Sequence, residues 1–220
     1  MEKRAEKLLE HLGERLKFFS ELGMEFISSS PSSEDSSYLS LKERIIQCQK
    51  CALSQRRKNA VPGEGNFGAE LMFVGEAPGH DEDIQGRPFV GRAGQLLTKI
   101  INAMEFKRED VYITNVVKCR PPDNRNPHRE EIEKCQKYLL EQLEMIKPRV
   151  IVTLGKVATD FFVRSNLGMT ALRGNFYEFG DIQVMPTFHP SYIIRNEGNI
   201  KIKKMVWEDM KKVMAFLGKK

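Results

Sequence analysis

The sequence lacks several features that would assign it to familiar functional classes. No apolar run in its 220 residues reaches the length that spans a membrane, and the N-terminal segment MEKRAEKLLE has mixed charge and no apolar signal region. The glycine-rich turn after Val74 lacks the order G-x-x-x-x-G-K-[ST] of a phosphate-binding loop, and no helix-forming run follows it at once. These absences argue against a membrane protein and against a nucleoside triphosphatase, and they predict a cytoplasmic chain.

Cysteine is also scarce, with four residues, and a cytosolic chain of this length does not need disulfides. Cys48 and Cys51 form a C-x-x-C pair, whereas Cys119 and Cys135 are separated by 15 residues. Four thiols with one close pair suggest a shared metal or iron–sulfur site, and this spacing also permits zinc. The alternative is that the four cysteines are unrelated buried thiols.

The net charge of +5 conceals two unequal parts. Residues 1–38 carry five Lys or Arg and eight Asp or Glu, so the remaining residues carry a net charge of +8. A basic core favours a polyanionic partner such as nucleic acid. Residues 3–27 have the apolar spacing of a helix and 28–37 form a Ser-rich linker, which predicts an appendage at 1–38 and one domain at 39–220. The appendage could bind a protein partner, and we expect the chain to be a monomer.

Short apolar runs alternate with helical patterns along the core. The candidate central strands cover 71–74, 111–117, 150–154 and 182–188, with a candidate edge strand at 174–179. The candidate helices cover 93–104, 130–146, 157–163 and 200–217. This alternation predicts an α/β fold of three layers, in which helices cover both faces of a mainly parallel, four-stranded central sheet.

Polar side chains occupy strands or strand ends in this pattern. Glu76 follows the first strand and His189 the last, so both are expected to share a cleft at the carboxyl edge of the sheet. Each also has a structural explanation, Glu76 as a cap of the next turn and His189 as a packed core residue. Asn115 lies inside an apolar strand, where its amide is costly unless paired with a neighbouring loop or a ligand.

Four segments together resemble the family 4 uracil-DNA glycosylases, the iron–sulfur enzymes of thermophilic bacteria and archaea and their relatives. The segments are GEAPG at 75–79, GRPFVGRAG at 86–94, TNVVKCRPP at 114–122 and HPS at 189–191. The cysteine positions match as well, and the resemblance covers roughly residues 41–217. It implies a uracil-DNA glycosylase-like fold, uracil-containing DNA as the substrate, and hydrolysis of the N-glycosidic bond to leave an abasic site.

The resemblance also assigns roles in base recognition. The target base must leave the duplex and enter a pocket, where Phe89 matches the aromatic residue on which the family stacks uracil. Asn115 matches the residue that reads the uracil edge, donating to O4 and accepting from N3–H, whereas cytosine presents the reverse pattern. His189 matches the histidine near uracil O2, where a neutral imidazole or an imidazolium would stabilise the departing anion.

Two positions depart from the better-known uracil glycosylases that carry a GQDPYH motif. The water-positioning Asp of that motif falls at Ala77, and the carboxylate of this chain lies one residue earlier, at Glu76. We expect Ala77 to line the base site and Glu76 to act in catalysis, either by orienting water or through its backbone. Gly79 occupies the slot of the Tyr that excludes the thymine methyl group in those relatives, so this chain lacks that means of exclusion.

The resemblance further implies that the four cysteines hold a 4Fe–4S cluster of structural function. The cluster would order the basic loop that carries Lys118, Arg120 and Arg125, which are expected to contact DNA phosphates. Tyr192 and Arg195 follow the HPS motif and resemble the loop that probes the minor groove.

Other functions are compatible with the same fold. The main alternative is a non-catalytic iron–sulfur DNA-binding protein, which the intact Phe89, Asn115 and His189 disfavour. A related group traps its product covalently through a histidine in an inserted loop, but the 118–129 loop is short and His128 falls off that position. No amine nucleophile is matched in the cleft, so the implied glycosylase is monofunctional and should not cleave the DNA strand.

Overall fold

The computed structural model describes residues 33–219, and their side chains from Leu39 onward. The predicted helix at 3–27 and the first half of the predicted Ser-rich linker, residues 28–32, lie outside the described residues. Helix α1 (Ser33–Ile46) begins inside the predicted linker and before the predicted domain start.

A six-stranded sheet with the order β1-β3-β2-β4-β6-β5 forms the centre of the fold. The strands are β1 (Glu64–Gly65), β2 (Leu71–Gly75), β3 (Tyr112–Asn115), β4 (Val150–Leu154), β5 (Tyr177–Phe179) and β6 (Ile182–Thr187). The four inner strands run parallel, and β1 and β5 pair antiparallel at the two edges. The predicted α/β fold with four central parallel strands is therefore confirmed. Strand β1 was not predicted, because its two residues form no apolar run.

Eight α-helices occur in the part of the chain that the structure describes. After α1 they are α2 (His80–Gln85), α3 (Arg92–Ala103), α4 (Arg129–Ile146), α5 (Lys156–Phe162), α6 (Met169–Leu172), α7 (Pro190–Arg195) and α8 (Ile200–Phe216). The four predicted core helices correspond to α3, α4, α5 and α8, with ends within one residue of those predicted. Helix α2 follows the glycine-rich turn directly, contrary to the sequence expectation, because its residues HDEDIQ carry no apolar periodicity.

The strands alternate their side chains between two apolar layers. Met72 and Val74 pack in a cluster with residues of α1, α4 and α5, whereas Leu71 and Phe73 pack in a second cluster with residues of α3 and α8. All four side chains are fully buried because both faces of the sheet are covered. This arrangement confirms the predicted three-layer α/β/α architecture.

The parallel inner strands all end at one edge of the sheet, and the loops that follow them lie side by side. Open parallel sheets bind ligands at this edge. Among the described residues, the structure contains no helix with the length and apolar character needed to cross a membrane.

A candidate active site at the carboxyl edge of the sheet

A cleft of about 670 Å³ opens where the inner parallel strands end. All residues predicted to bind the base or to act in catalysis line this cleft, namely Glu76, Ala77, Phe89, Asn115 and His189. They come from three distant parts of the chain, and the parallel register is what brings them together. The structure therefore assembles in one cavity the side chains that the sequence pattern singled out one by one.

Asn115 lies at the end of β3, directly opposite Gly75 of β2. Its side chain is buried, and its amide oxygen has no hydrogen-bond partner among the described residues. A Cβ on Gly75 would overlap that oxygen and would lie 2.5 Å from Cζ of Phe89, so only glycine leaves room for both side chains. A buried acceptor without a partner is costly. Asn115 is thus suited to accept a hydrogen bond from a ligand in the cleft.

Phe89 forms part of the cleft wall in an unusual backbone conformation. Its φ angle is +50°, a region that bulky L-residues rarely adopt, and its side chain is buried. The conformation brings its carbonyl group against Gly94 of α3, where a Cβ would overlap it. The Phe89 ring centroid lies 5.9 Å from that of His189, so one aromatic surface borders the imidazole.

His189 caps helix α7 and has a defined tautomer. Its Nδ1 atom accepts a hydrogen bond of 3.1 Å from the backbone N–H of Ser191, so the neutral ring carries its proton on Nε2. Burial, followed by the positive charge of Arg195, lowers the pKa of His189 to about 4. The backbone of His189, the residue before Pro190, is extended. His189 therefore offers the cleft a neutral N–H donor near pH 7.

Glu76 continues from β2 into the cleft. Its backbone carbonyl accepts a hydrogen bond of 3.0 Å from the N–H of Val117, which extends the pairing of the two strands past their ends. Its carboxyl group is partly buried, and this burial raises the pKa of Glu76. The side chain lines the cleft while the backbone carbonyl is engaged elsewhere.

All four cysteine thiols line a second, smaller cavity beneath α1 and α4. Cys119 and Cys135 are buried, and Cys48 and Cys51 are partly exposed. Burial raises the pKa of the Cys135 thiol and raises that of Cys119 to about 11. In the described residues, no three side chains of His, Cys, Asp or Glu are arranged to hold a single metal ion.

Two donors point at the sulfur atoms of this cavity. Arg57 donates a hydrogen bond of 2.9 Å to Sγ of Cys119, and the backbone N–H of Lys118 donates one of 3.3 Å to Sγ of Cys135. Such donors stabilise thiolates and are typical of iron–sulfur sites. Four thiols that line one cavity, two of them with hydrogen-bond donors on sulfur, form the type of donor set that an iron–sulfur cluster requires.

The prediction that Lys118 contacts DNA is contradicted by the structure. The side chain is 1% exposed, and its ammonium group donates to Oγ1 of Thr114, to the backbone carbonyl of Asn115 and to Oε1 of Gln142. A side chain that is buried and hydrogen-bonded in this way is not available to a phosphate. Lys118 instead supports the end of β3, where Asn115 lies.

The other predicted DNA contacts lie nearer the surface. Arg125, Tyr192 and Arg195 line the cleft, and Tyr192 and Arg195 are exposed. Tyr192 and Arg195 belong to α7 rather than to a loop. Arg125 forms an ion pair of 2.7 Å with Glu131, so part of its charge is already neutralised.

Arg120 is partly exposed and does not line the cleft. It donates a hydrogen bond of 2.8 Å to Oδ1 of Asn124, and its guanidinium lies 3.1 Å from Nδ1 of His80. These contacts hold Arg120 within the basic loop and leave it accessible to solvent.

Sequence reasoning missed two residues that organise these sites. Arg57 donates hydrogen bonds to Sγ of Cys119 and to the backbone carbonyls of Ile46 and Cys48. Glu82 had not been singled out, yet its carboxylate accepts three backbone hydrogen bonds beside the cleft. Its position three residues after Gly79 is that of the acid in a capping box, a signal that the sequence did contain.

Comparison with known proteins gives consistent results. A family model of the Uracil DNA glycosylase superfamily matches residues 62–211. The Type-4 uracil-DNA glycosylase of Thermotoga maritima is 49% identical, over 81% of this chain and 94% of its own length. That of Saccharolobus solfataricus is 48% identical, over 82% and 86%. A Type-5 uracil-DNA glycosylase of Pyrobaculum aerophilum is 33% identical, over 66% and 71%.

Proposed function

This chain belongs to the uracil-DNA glycosylase superfamily, and from that membership we propose that it is a DNA repair enzyme of the Type-4 kind. It hydrolyses the N-glycosidic bond of uracil in DNA and leaves an abasic site. The observation that carries this proposal is the buried, unpartnered amide oxygen of Asn115, which lies beside the ring of Phe89 in the cleft. A flipped uracil would stack on Phe89 and satisfy that oxygen with its N3–H group.

Asn115 also accounts for discrimination between uracil and cytosine. Cytosine has no proton on N3, so it would leave the amide oxygen unpaired and would present a donor where uracil presents O4. A site built to hydrogen-bond one pattern rejects the other strongly, because its own buried groups lose their partners.

His189 is proposed to stabilise the departing uracil. Bond cleavage leaves negative charge on the base, and a preorganised donor at O2 lowers the energy of that state. Because the pKa of His189 is about 4 and its Nδ1 is occupied by Ser191, the group offered is a neutral Nε2–H. This supports the neutral imidazole over the imidazolium.

Glu76 is proposed to orient the attacking water through its side chain. Its backbone carbonyl is already paired with Val117, which favours the carboxylate as the group that acts on the reactants. The lysine that lines the cleft, Lys156, forms an ion pair with Asp160. This pairing supports a monofunctional enzyme that leaves the DNA strand intact.

The four cysteines are proposed to hold a 4Fe–4S cluster. When bound, the cluster would serve as a structural cross-link between the C-x-x-C turn and the segment of Cys119 and Cys135. Arg57 would hold one thiolate and the turn of Cys48 at once. Measurement of iron, acid-labile sulfide and zinc in the purified protein tests this assignment, since zinc alone would overturn it.

The proposed activity is tested with an end-labelled oligonucleotide that contains one uracil, incubated with the protein and then treated with hot alkali. We expect strand cleavage only after alkali, and none with a matched thymine oligonucleotide. Cleavage before alkali would overturn the monofunctional assignment. No cleavage by a protein with an intact cluster would overturn the glycosylase function and favour a non-catalytic DNA-binding protein.

A further inference from the structure

The carboxylate of Glu82 lies between the two loops that build the base pocket. Its Oε2 atom accepts a hydrogen bond of 3.1 Å from the N–H of Gly79. Its Oε1 atom accepts two, of 2.8 Å from the N–H of Val90 and 2.9 Å from that of Gly91. One side chain therefore joins two segments that do not pair with each other in the sheet.

Both segments carry residues of the proposed reaction. Gly79 ends the loop that begins with Glu76 and Ala77, and Val90 directly follows Phe89. The left-handed backbone of Phe89 is unfavourable for a bulky residue and persists only where neighbouring contacts impose it. Glu82 supplies such contacts on the C-terminal side of Phe89.

The N-terminal side of Phe89 is fixed by a different group. The guanidinium of Arg108 donates a hydrogen bond to the backbone carbonyl of Pro88 and pairs with Glu64 at 2.7 Å. Phe89 is thus held between an arginine that binds the preceding carbonyl and a carboxylate that binds the following amides. Gly94 also contributes, because the absence of a Cβ at this position lets the Phe89 carbonyl lie close to α3.

The charge of Glu82 would be unfavourable in this place if it were unpaired. Glu82 lines the cleft in which uracil would leave as an anion. Three backbone N–H donors offset its negative charge, as donors do for a carboxylate at a helix N-terminus. The Glu82 carboxylate is therefore directed toward the backbone amides of Gly79, Val90 and Gly91.

We propose that Glu82 is a positioning residue for uracil excision, which holds Phe89 in its stacking conformation and ties it to the loop of Glu76 and Ala77. It acts through Phe89 and does not bind the base itself. The inference rests on the proposed glycosylase function for its catalytic consequence, but the structural linkage can be measured without activity.

The first measurement is amide hydrogen exchange in the intact protein. Glu82→Gln keeps the shape of the side chain but turns an NH₂ donor toward one of its backbone donors, and Glu82→Ala removes every bond. We expect faster exchange, by about tenfold or more, at Gly79, Val90 and Gly91 in Glu82→Ala, and in Glu82→Gln at whichever of these amides faces the NH₂ group, because opening of the loop limits exchange there. Glu109→Gln, at an exposed surface position, is the charge-matched control and should leave these amides unchanged.

The second measurement is a double-mutant cycle for kcat/KM on single-stranded uracil DNA. Glu82→Gln should lower kcat/KM by about tenfold in the wild-type background, as expected for a displaced binding group. In a Phe89→Leu background the same change should cost less than about twofold, because residues that act as a unit are not additive. Thermal melting of each variant establishes that it is folded.

Three outcomes separate the explanations. Equal losses in both backgrounds would overturn action through Phe89. Unchanged exchange at all three amides, Gly79, Val90 and Gly91, would overturn the linkage itself. If the wild-type protein removes no uracil, the proposed function fails, yet the exchange measurement still decides whether Glu82 fixes the Phe89 loop. If Glu82→Ala does not fold, Glu82→Gln carries both measurements.

Discussion

Acidification from pH 7 to pH 5 should destabilise the folded protein through His189. The pKa of its imidazole is about 4 in the folded protein, against 6.5 for an unperturbed histidine. Because the folded pKa is the lower one, the unfolded chain binds the proton first. The stability contributed by neutral His189 is therefore complete above pH 6.5 and is lost progressively between pH 6.5 and pH 4.

The size of this effect follows from the two pKa values. At about 1.4 kcal/mol for each tenfold change in proton affinity, the whole difference amounts to roughly 3 kcal/mol. At pH 5 the unfolded imidazole is almost fully protonated and the folded one is not, so about 2 kcal/mol of the free energy of unfolding should be lost.

Urea unfolding at pH 7 and pH 5 measures this loss, with His189→Gln as the comparison. We expect the wild-type protein to lose about 2 kcal/mol more than the variant, since other titrating groups contribute to both proteins. Equal pH dependence of the wild type and His189→Gln would refute the reasoning, as would an NMR titration that gave His189 a pKa near 6.5. Either result would make a charged imidazole available for catalysis near neutral pH.

Two further predictions concern the cleft and the DNA contacts. Gly75→Ala should lower kcat/KM for uracil excision by about 100-fold, because its Cβ would displace the side chain of Asn115. Gly198→Ala, at a position with open space around it, is the control and should leave kcat/KM unchanged. Equal activity of the two variants would contradict the prediction. Lys118→Met should lower the free energy of unfolding by about 1–3 kcal/mol in urea, since it leaves buried acceptors unpaired. Lys118→Met should leave the salt dependence of DNA binding unchanged, whereas Arg120→Ala should reduce the slope of log Kd against log salt concentration by about one. If Lys118→Met reduced the slope and Arg120→Ala did not, Lys118 would be the phosphate contact after all.

The sequence was sufficient for the central sheet and for the cleft. Parallel strands buried on both faces appear as short apolar runs, and the polar residues that interrupt or follow those runs, Asn115, Glu76 and His189, stand out against them. Strand β1 and helix α2 were missed because their stability comes from tertiary pairing and capping rather than from apolar periodicity. The domain boundary at residue 38 stays a prediction.

Charge was the property that sequence reasoning interpreted least well. Lys118 was expected to contact phosphates, but in the fold its side chain points inward to a backbone carbonyl. The guanidinium of Arg57 is likewise directed to carbonyl and sulfur acceptors. Arg125 is exposed enough to meet DNA, but it is paired with Glu131. The direction of a long side chain depends on which acceptors the folded chain brings near it, and no local pattern contains that information.

The short distance along the chain between Asn115 and Cys119 limits where this protein can change in length. The residues between them are buried, and one extra residue there would displace the Cys119 thiol from the cavity that it shares with the other three cysteines. Insertions should instead be accepted at the turn of Gly180 and Asp181 between β5 and β6. Both residues are exposed, and a Cβ added to Gly180 would contact no other atom. The residue proposed to recognise the base and one of the proposed cluster ligands are thus separated by a fixed number of residues, and we expect changes in chain length at turns remote from that segment.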